Sequence, residues 1–210
     1  VISLSMQLPC ELEFMGRRYR INTAFDTVLR VFALQRDELF TPTQRITLTA
    51  EILAGKRAAK LDIESQVQFV EEALSMIVGE GRETNEPKLL DFEQDAPYIY
   101  AAFLSVYGLD LYKMAGYGPR RRARLDWRQF IALFMGLPDD TKIKEIMHIR
   151  RRPIPESTKH NAAQIKALIE AKTFYALRFT ETEAEIAFQR GVDRLAAGLA
   201  ARASKPRQRR

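Results

Sequence analysis

Two hydrophobic periods meet near residue 22. Over 11–21, Leu12 and Phe14 alternate with Glu11 and Glu13, and Tyr19 and Ile21 alternate with Arg18 and Arg20. A period of two interrupted at Gly16 predicts a β-hairpin. From Asn22 the period becomes that of a helix. Phe25, Val28, Leu29 and Phe32 make one stripe over 23–36, with Asn22 or Thr23 available as the cap. A lone hairpin is marginal in water, so it is expected to pack on this helix.

Further helices follow with their own punctuation. Thr41-Pro42-Thr43-Gln44 is a helix start: Thr41 suits the N-cap, Pro42 the first helical position, and Gln44 can close a capping box. That helix runs to Leu53, with Gly55 beyond it. The next begins near Asp62, carries Val67, Val70, Leu74 and Ile77 on one face, and stops at Gly79 or Gly81. Residues 79–90 read as a polar loop. Asp95 is placed to cap a helix with Pro97 in its first turn and Gly108 past its end. Ile99, Ala102, Phe103 and Val106 form one face of it, flanked by Tyr98, Tyr100 and Tyr107. A Gly- and Arg-rich loop at 114–124 precedes a short helix capped by Asp126, with Trp127, Phe130, Ile131 and Phe134 inside and Gly136-Leu137-Pro138 as its stop. Asp139 or Asp140 opens another, which Pro153 and Pro155 end. Two more are expected near 158–176 and 181–201.

The pattern thus predicts a mainly α fold of seven or eight helices: one helical domain with a short N-terminal hairpin over 1–178, a helical extension over 179–201, and a basic tail over 202–210. Trp127 is expected to be largely buried. The chain has no internal repeat and no long heptad seam.

Composition agrees with a soluble globular class. The 210 residues are 46% hydrophobic and 29% charged, which excludes a mainly disordered chain. No apolar run is long enough for a membrane span, and the start has no signal-peptide core. One cysteine, Cys10, cannot form an intrachain disulfide, which fits a reducing compartment. The net charge of +6 is concentrated at the end, in Arg202, Lys205, Arg207, Arg209 and Arg210, with smaller basic runs at Arg120, Arg121, Arg122, Arg124 and at Arg150, Arg151, Arg152. Such a tail can attract nucleic acid, acidic protein or an anionic surface. It carries no aromatic for base stacking, so a solvated end is the favoured reading.

Catalytic chemistry finds little support. His148 and His160 have no metal-type spacing, and Cys10 has no histidine near it in sequence. The chain has no nucleophile elbow, Walker loop or dinucleotide fingerprint. Gly116-Tyr117-Gly118 lacks the strand and the Lys-Ser/Thr that a phosphate loop needs. Asp91, Glu93, Asp95 and Asp110 surround one helix. Helix capping explains them better than Mg²⁺ binding does. The expectation is a non-enzyme with no catalytic residue, no metal and no cofactor. Tyr98, Tyr100, Phe103, Tyr107, Trp127, Phe130 and Phe134 crowd a short span. They serve mainly as core, and any excess the domain cannot cover marks a groove for an amphipathic helix.

Particular blocks reach further. Leu8-Pro9, the hairpin, and Ile21-Asn22-Thr23-Ala24-Phe25 come first. Asp91-Phe92-Glu93-Gln94-Asp95-Ala96-Pro97-Tyr98-Ile99-Tyr100-Ala101-Ala102-Phe103 and Tyr107-Gly108-Leu109-Asp110-Leu111 follow. Asp126-Trp127-Arg128-Gln129-Phe130, Gly136-Leu137-Pro138-Asp139-Asp140-Thr141 and Glu145-Ile146-Met147-His148-Ile149-Arg150 complete the set. Together they resemble the bacteriophage "gene product fifteen" family of siphophage tail-module proteins. The resemblance covers about 1–178 and leaves the extension at 179–210 unexplained.

The resemblance implies a tail-assembly chaperone that holds the tape-measure protein in the host bacterial cytoplasm, with other tail proteins as further candidate partners, and that is absent from the mature virion. Its partner contacts would be the aromatics just named and the arginines of 120–124 and 150–152. The alternatives are a structural tail or head-completion subunit that stays in the virion, and a nucleic-acid-associated protein that uses its basic tail.

Overall fold

The structure, a computed structural model, describes residues 7–79, 89–115, 125–158 and 161–178. These fall into two compact units. One is built from 7–79 with Leu125–Gln129, the other from 89–115, 130–158 and 161–178.

The first unit opens with the expected hairpin, β1 (Glu11–Phe14) antiparallel to β2 (Arg17–Arg20), with Leu12 opposite Tyr19. Its two-residue turn places both Met15 (φ 50°) and Gly16 (φ 68°) in the left-handed region. That turn matches the right-handed twist of paired strands. Glycine takes this backbone at no steric cost, whereas Met15 does not. Alternation then sends Phe14 and Tyr19 inward. Their rings meet Phe69 edge-on, at centroid distances of 5.5 and 5.0 Å.

Three helices complete this unit's frame: α1 (Phe25–Arg36), α2 (Pro42–Ala54) and α3 (Ile63–Val78). Phe69 belongs to α3, so the hairpin's buried rings meet α3, where the sequence suggested α1. The α2 start is as read. Thr41 accepts from the Gln44 amide and Gln44 accepts from the Thr41 amide, so two orphan donors are satisfied reciprocally. Asp62 caps α3 by accepting from the Ser65 amide at 3.0 Å, and Gly79 ends it. The backbone hydrogen bond from Ser65 is the main reason the Asp62 carboxyl lies below its usual pKa.

The α1 cap differs from expectation. Helix α1 starts two residues later than the expected 23, at Phe25, with Ala24 in the cap position, and Asn22 accepts from the Ala24 amide instead. The reason is a contact far along the chain. Ala24 forms an isolated antiparallel bridge with Asp126, the Phe25 amide donates to Leu125, and the Trp127 amide donates to Thr23. These bonds fix the backbone that a capping side chain would otherwise organise.

Buried polar groups tie the helices together. Gln66 donates to the Ala59 and Leu61 carbonyls and accepts from the Thr47 hydroxyl, holding the α2–α3 turn to both helices. Gln35 of α1 donates to Thr49 of α2 at 2.8 Å. Both amide nitrogens thus find acceptors away from water, while the Gln35 Oε1 is buried without a hydrogen-bond partner among the described residues.

The second unit contains α4 (Ala96–Tyr107), α5 (Leu111–Met114), α7 (Lys142–Arg151) and α8 (Ala162–Phe174). Between α5 and α7 lies α6 (Trp127–Met135), whose residues from Phe130 onward belong here. Helix α5 was not legible as a helix. It lasts one turn, too short for periodicity to register, and is nucleated by Asp110, which accepts from the Tyr112 and Lys113 amides. Helix α7 starts at Lys142 after Thr141, later than Asp139 or Asp140, because Thr141 closes a turn on the Pro138 carbonyl. The core of this unit stacks Phe103 on Phe130, centroids 5.1 Å apart and 17° from parallel, with Phe92 tilted against Phe130 and Phe134. The eight helices and one hairpin among the described residues make the fold mainly α. The proposed extension at 179–201 and the tail at 202–210 lie outside the described residues.

Candidate partner-binding surface

Helix α4 has no charged residue in its twelve positions, Ala-Pro-Tyr-Ile-Tyr-Ala-Ala-Phe-Leu-Ser-Val-Tyr. Its inner face buries Ile99, Ala102 and Phe103. Its outer side carries Pro97, Ala101 and Leu104, spaced i, i+4, i+7 and all exposed. Leu104 is 44% exposed. A solvent-facing helix normally sets charges on this side. Beyond its C-terminus, left-handed Gly108 turns the chain into α5, where Tyr112, 76% exposed, lies 4.9 Å from the Tyr100 ring. An uncharged ridge therefore runs along α4 and is continued by an exposed tyrosine beside Tyr100.

The aromatics singled out in the sequence divide between this surface and the interior. Tyr98, Tyr100 and Tyr107 are half-buried. Tyr107 donates its hydroxyl to the Leu133 carbonyl at 2.9 Å, which fixes the ring. Phe103, Phe130 and Phe134 are fully buried and form the core described above. Trp127 is buried as expected, with its ring edge-on to Phe32 at 5.5 Å. These four side chains give shape to the fold and have no surface to offer a partner.

Arg150 also departs from its sequence reading. The run Arg150, Arg151, Arg152 in sequence suggests three charges for a partner. Arg151 and Arg152 are exposed, but the Arg150 side chain is only 7% exposed. Its guanidinium makes a forked pair with Asp95, at 2.6 and 2.8 Å, and donates to the Leu89 and Tyr175 carbonyls at 2.8 and 2.7 Å. The planar fork of arginine matches a carboxylate at two points, and the remaining N–H groups take the carbonyls. Asp95, 1% exposed, occupies the α4 cap position without capping. It accepts instead from the Asp91 amide, at 2.9 Å. Asp91 in turn accepts from the Glu93 and Gln94 amides. The acidic group at 91–95 is thus a turn and an ion pair.

The remaining candidates are quickly placed. Asp110 caps α5, and its hydrogen bond with the Lys113 side chain is the main cause of its lowered pKa. His148 is exposed and faces Asp139 at 3.7 Å. Cys10 is a free thiol of intermediate exposure. Among the described residues no three His, Cys, Asp or Glu side chains are grouped as metal ligands would be. No helix among them is long and apolar enough to cross a membrane. Arg120, Arg121, Arg122 and Arg124, His160, Gly116-Tyr117-Gly118, and the basic tail lie outside the described residues.

The feature that no individual residue announces is the charge-free window 96–107 as a whole. It is visible in sequence, but only the fold separates its buried side from its exposed one. Compared with known proteins, residues 4–177 match the family model described as Bacteriophage Gp15 protein. No curated protein and no solved structure matches the chain.

Proposed function

The chain belongs to the Bacteriophage Gp15 protein family, and from that premise we propose that it is a non-enzymatic tail-assembly chaperone. In this reading it captures apolar helical segments of the tape-measure protein in the host cytoplasm, releases them as tube subunits polymerise, and is absent from the finished virion. The observation that supports the reading is the uncharged outer stripe of α4, Pro97, Ala101 and Leu104. An exposed apolar helix face is suited to a second helix and carries no group for chemistry. Shallow contacts of this kind release readily, as a holding factor must. The exposed cations Arg151 and Arg152 are available to acids on a partner's polar face.

Coexpression tests the proposal. The tape-measure protein made alone is expected to be insoluble or degraded, and this chain is expected to rescue it and co-purify with it. Leu104→Glu places a charge on the stripe without touching the core and should abolish the rescue. Equal solubility of the tape-measure protein with and without this chain would overturn the reading. Detection of the chain in purified particles would favour a structural tail or head-completion subunit instead.

A further inference from the structure

Helix α8 is held unlike its neighbours. None of its thirteen residues is buried. The side chains at 161, 165, 168, 171, 172 and 175 are half-buried and lie along one side of the helix, and its other side chains are exposed. That is a narrow seam in which one stripe touches the protein and the rest is solvated. The firm attachments are polar and sit at the C-terminal end. Lys172 donates to the Arg150 carbonyl at 2.7 Å, and Arg150 donates to the Tyr175 carbonyl at 2.7 Å. Gln94 grips the chain beyond the helix, donating to the Ala176 carbonyl and accepting from the Arg178 amide. The Tyr175 ring lies edge-on to Tyr98, with the Lys142 ammonium 5.3 Å from its centre.

The approach to α8 is equally loose. Residues 151–158 are exposed without exception and include Pro153 and Pro155. Departure of α8 would leave Arg150 paired with Asp95 and Leu89, and water would replace the Tyr175 carbonyl. No buried charge would be orphaned, which is what normally makes the breaking of such a contact costly.

We propose that α8 with the segment 175–178 is a displaceable cover, and that its seat on α7 and Tyr98 is a docking surface for a partner helix of the same pattern. The cover itself defines the occupant: a helix with aliphatic residues at i and i+3, a lysine or arginine at i+7 and an aromatic at i+10, as in Ile165, Leu168, Lys172 and Tyr175. While α8 is tethered, its high effective concentration keeps a free helix out. A partner binds when it outcompetes α8 or when the cover is weakened. This seat is separate from the outer stripe of α4, and its test requires no tail protein.

The experiment uses the full chain, its Tyr175→Ala variant and a labelled peptide of residues 161–178. By native hydrogen exchange, α8 amides of the unaltered chain should exchange at least about tenfold faster than those of α4 and α7, as expected for a sub-global opening. Tyr175→Ala should speed α8 further and leave α4 and α7 unchanged. The peptide should bind the variant at least about tenfold more tightly than the unaltered chain, because only the variant's own cover has lost the Tyr175 ring contact with Tyr98 and Lys142. A peptide carrying Tyr175→Ala should lose that advantage. Three results would each overturn the proposal: exchange in α8 as slow as in α4 and α7, a peptide that binds neither protein, or loss of the whole fold in Tyr175→Ala. The last would make α8 part of the core.

Discussion

Helices α3 and α8 are of similar length but are held by different physics. Helix α3 buries Val67, Phe69, Val70, Ala73 and Ile77, with its cap satisfied by Asp62. Helix α8 buries nothing and is fixed at one end by hydrogen bonds. Burial of apolar area is additive and hard to exchange for water. A hydrogen bond at the edge exchanges for one to water at small net change. A helix of the first kind is a fixed part of its unit, whereas one of the second kind can be replaced.

Phe69→Ala should expose the contrast most strongly. It removes the ring that meets both Phe14 and Tyr19, at an expected loss of about 3–5 kcal/mol by chemical denaturation. Asp95→Ala should come next, at about 3 kcal/mol, because it strands Arg150 in a nearly closed site. Its effect belongs to the α4–α7 frame, so a loss confined to α8 exchange would break the comparison. Thr41→Ala should cost about 1 kcal/mol through the lost capping box.

Asp126 gives a smaller, pH-dependent effect. Burial pushes its carboxyl up, but hydrogen bonds from Arg128 and Thr23 outweigh burial and hold it below the usual value. A carboxylate with a lowered folded pKa stabilises the fold at neutral pH, and that contribution is lost as pH falls from about 4 through the folded value. Asp126→Asn should therefore cost less than about 1 kcal/mol at pH 7, since the amide oxygen can keep accepting hydrogen bonds at this largely buried pair. The gap between the proteins should close in acid. Ile169→Ser, on the exposed side of α8, should change the melting temperature least of all.

The sequence reveals these helices unequally, for the same reason. Elements with strong local signals are readable: the hairpin from its alternation around Gly16, α2 from Thr41 and Gln44, and α3 from its stripe and Asp62. What sequence could not reveal was pairing at a distance. Asp95 has every local mark of a cap, and Arg150 of a surface charge. Only their approach across 55 residues of chain makes them one buried unit. Ala24 as the α1 cap has the same origin, in Asp126. The charge-free run at 96–107 was plain in sequence, but its division into Phe103 inside and Leu104 outside required the neighbouring helices. The half-buried seam of α8 was hidden because Ile169 and Phe174 face away from it, so no clear amphipathic stripe emerges.

The return of Leu125–Gln129 to the first unit also sets an order of events during synthesis. Trp127 supplies the ring against Phe32, its amide bonds to Thr23, and Arg128 reaches back to the Pro9 carbonyl at 2.9 Å. A nascent chain that has emerged only through α3 lacks these partners, and its hairpin and α1 remain incompletely closed. At about 5–20 residues per second, translation of the intervening segment takes a few seconds. Closure of the first unit therefore waits for a segment made well after its own helices, although it still precedes completion of the second unit, which needs residues as far as 178.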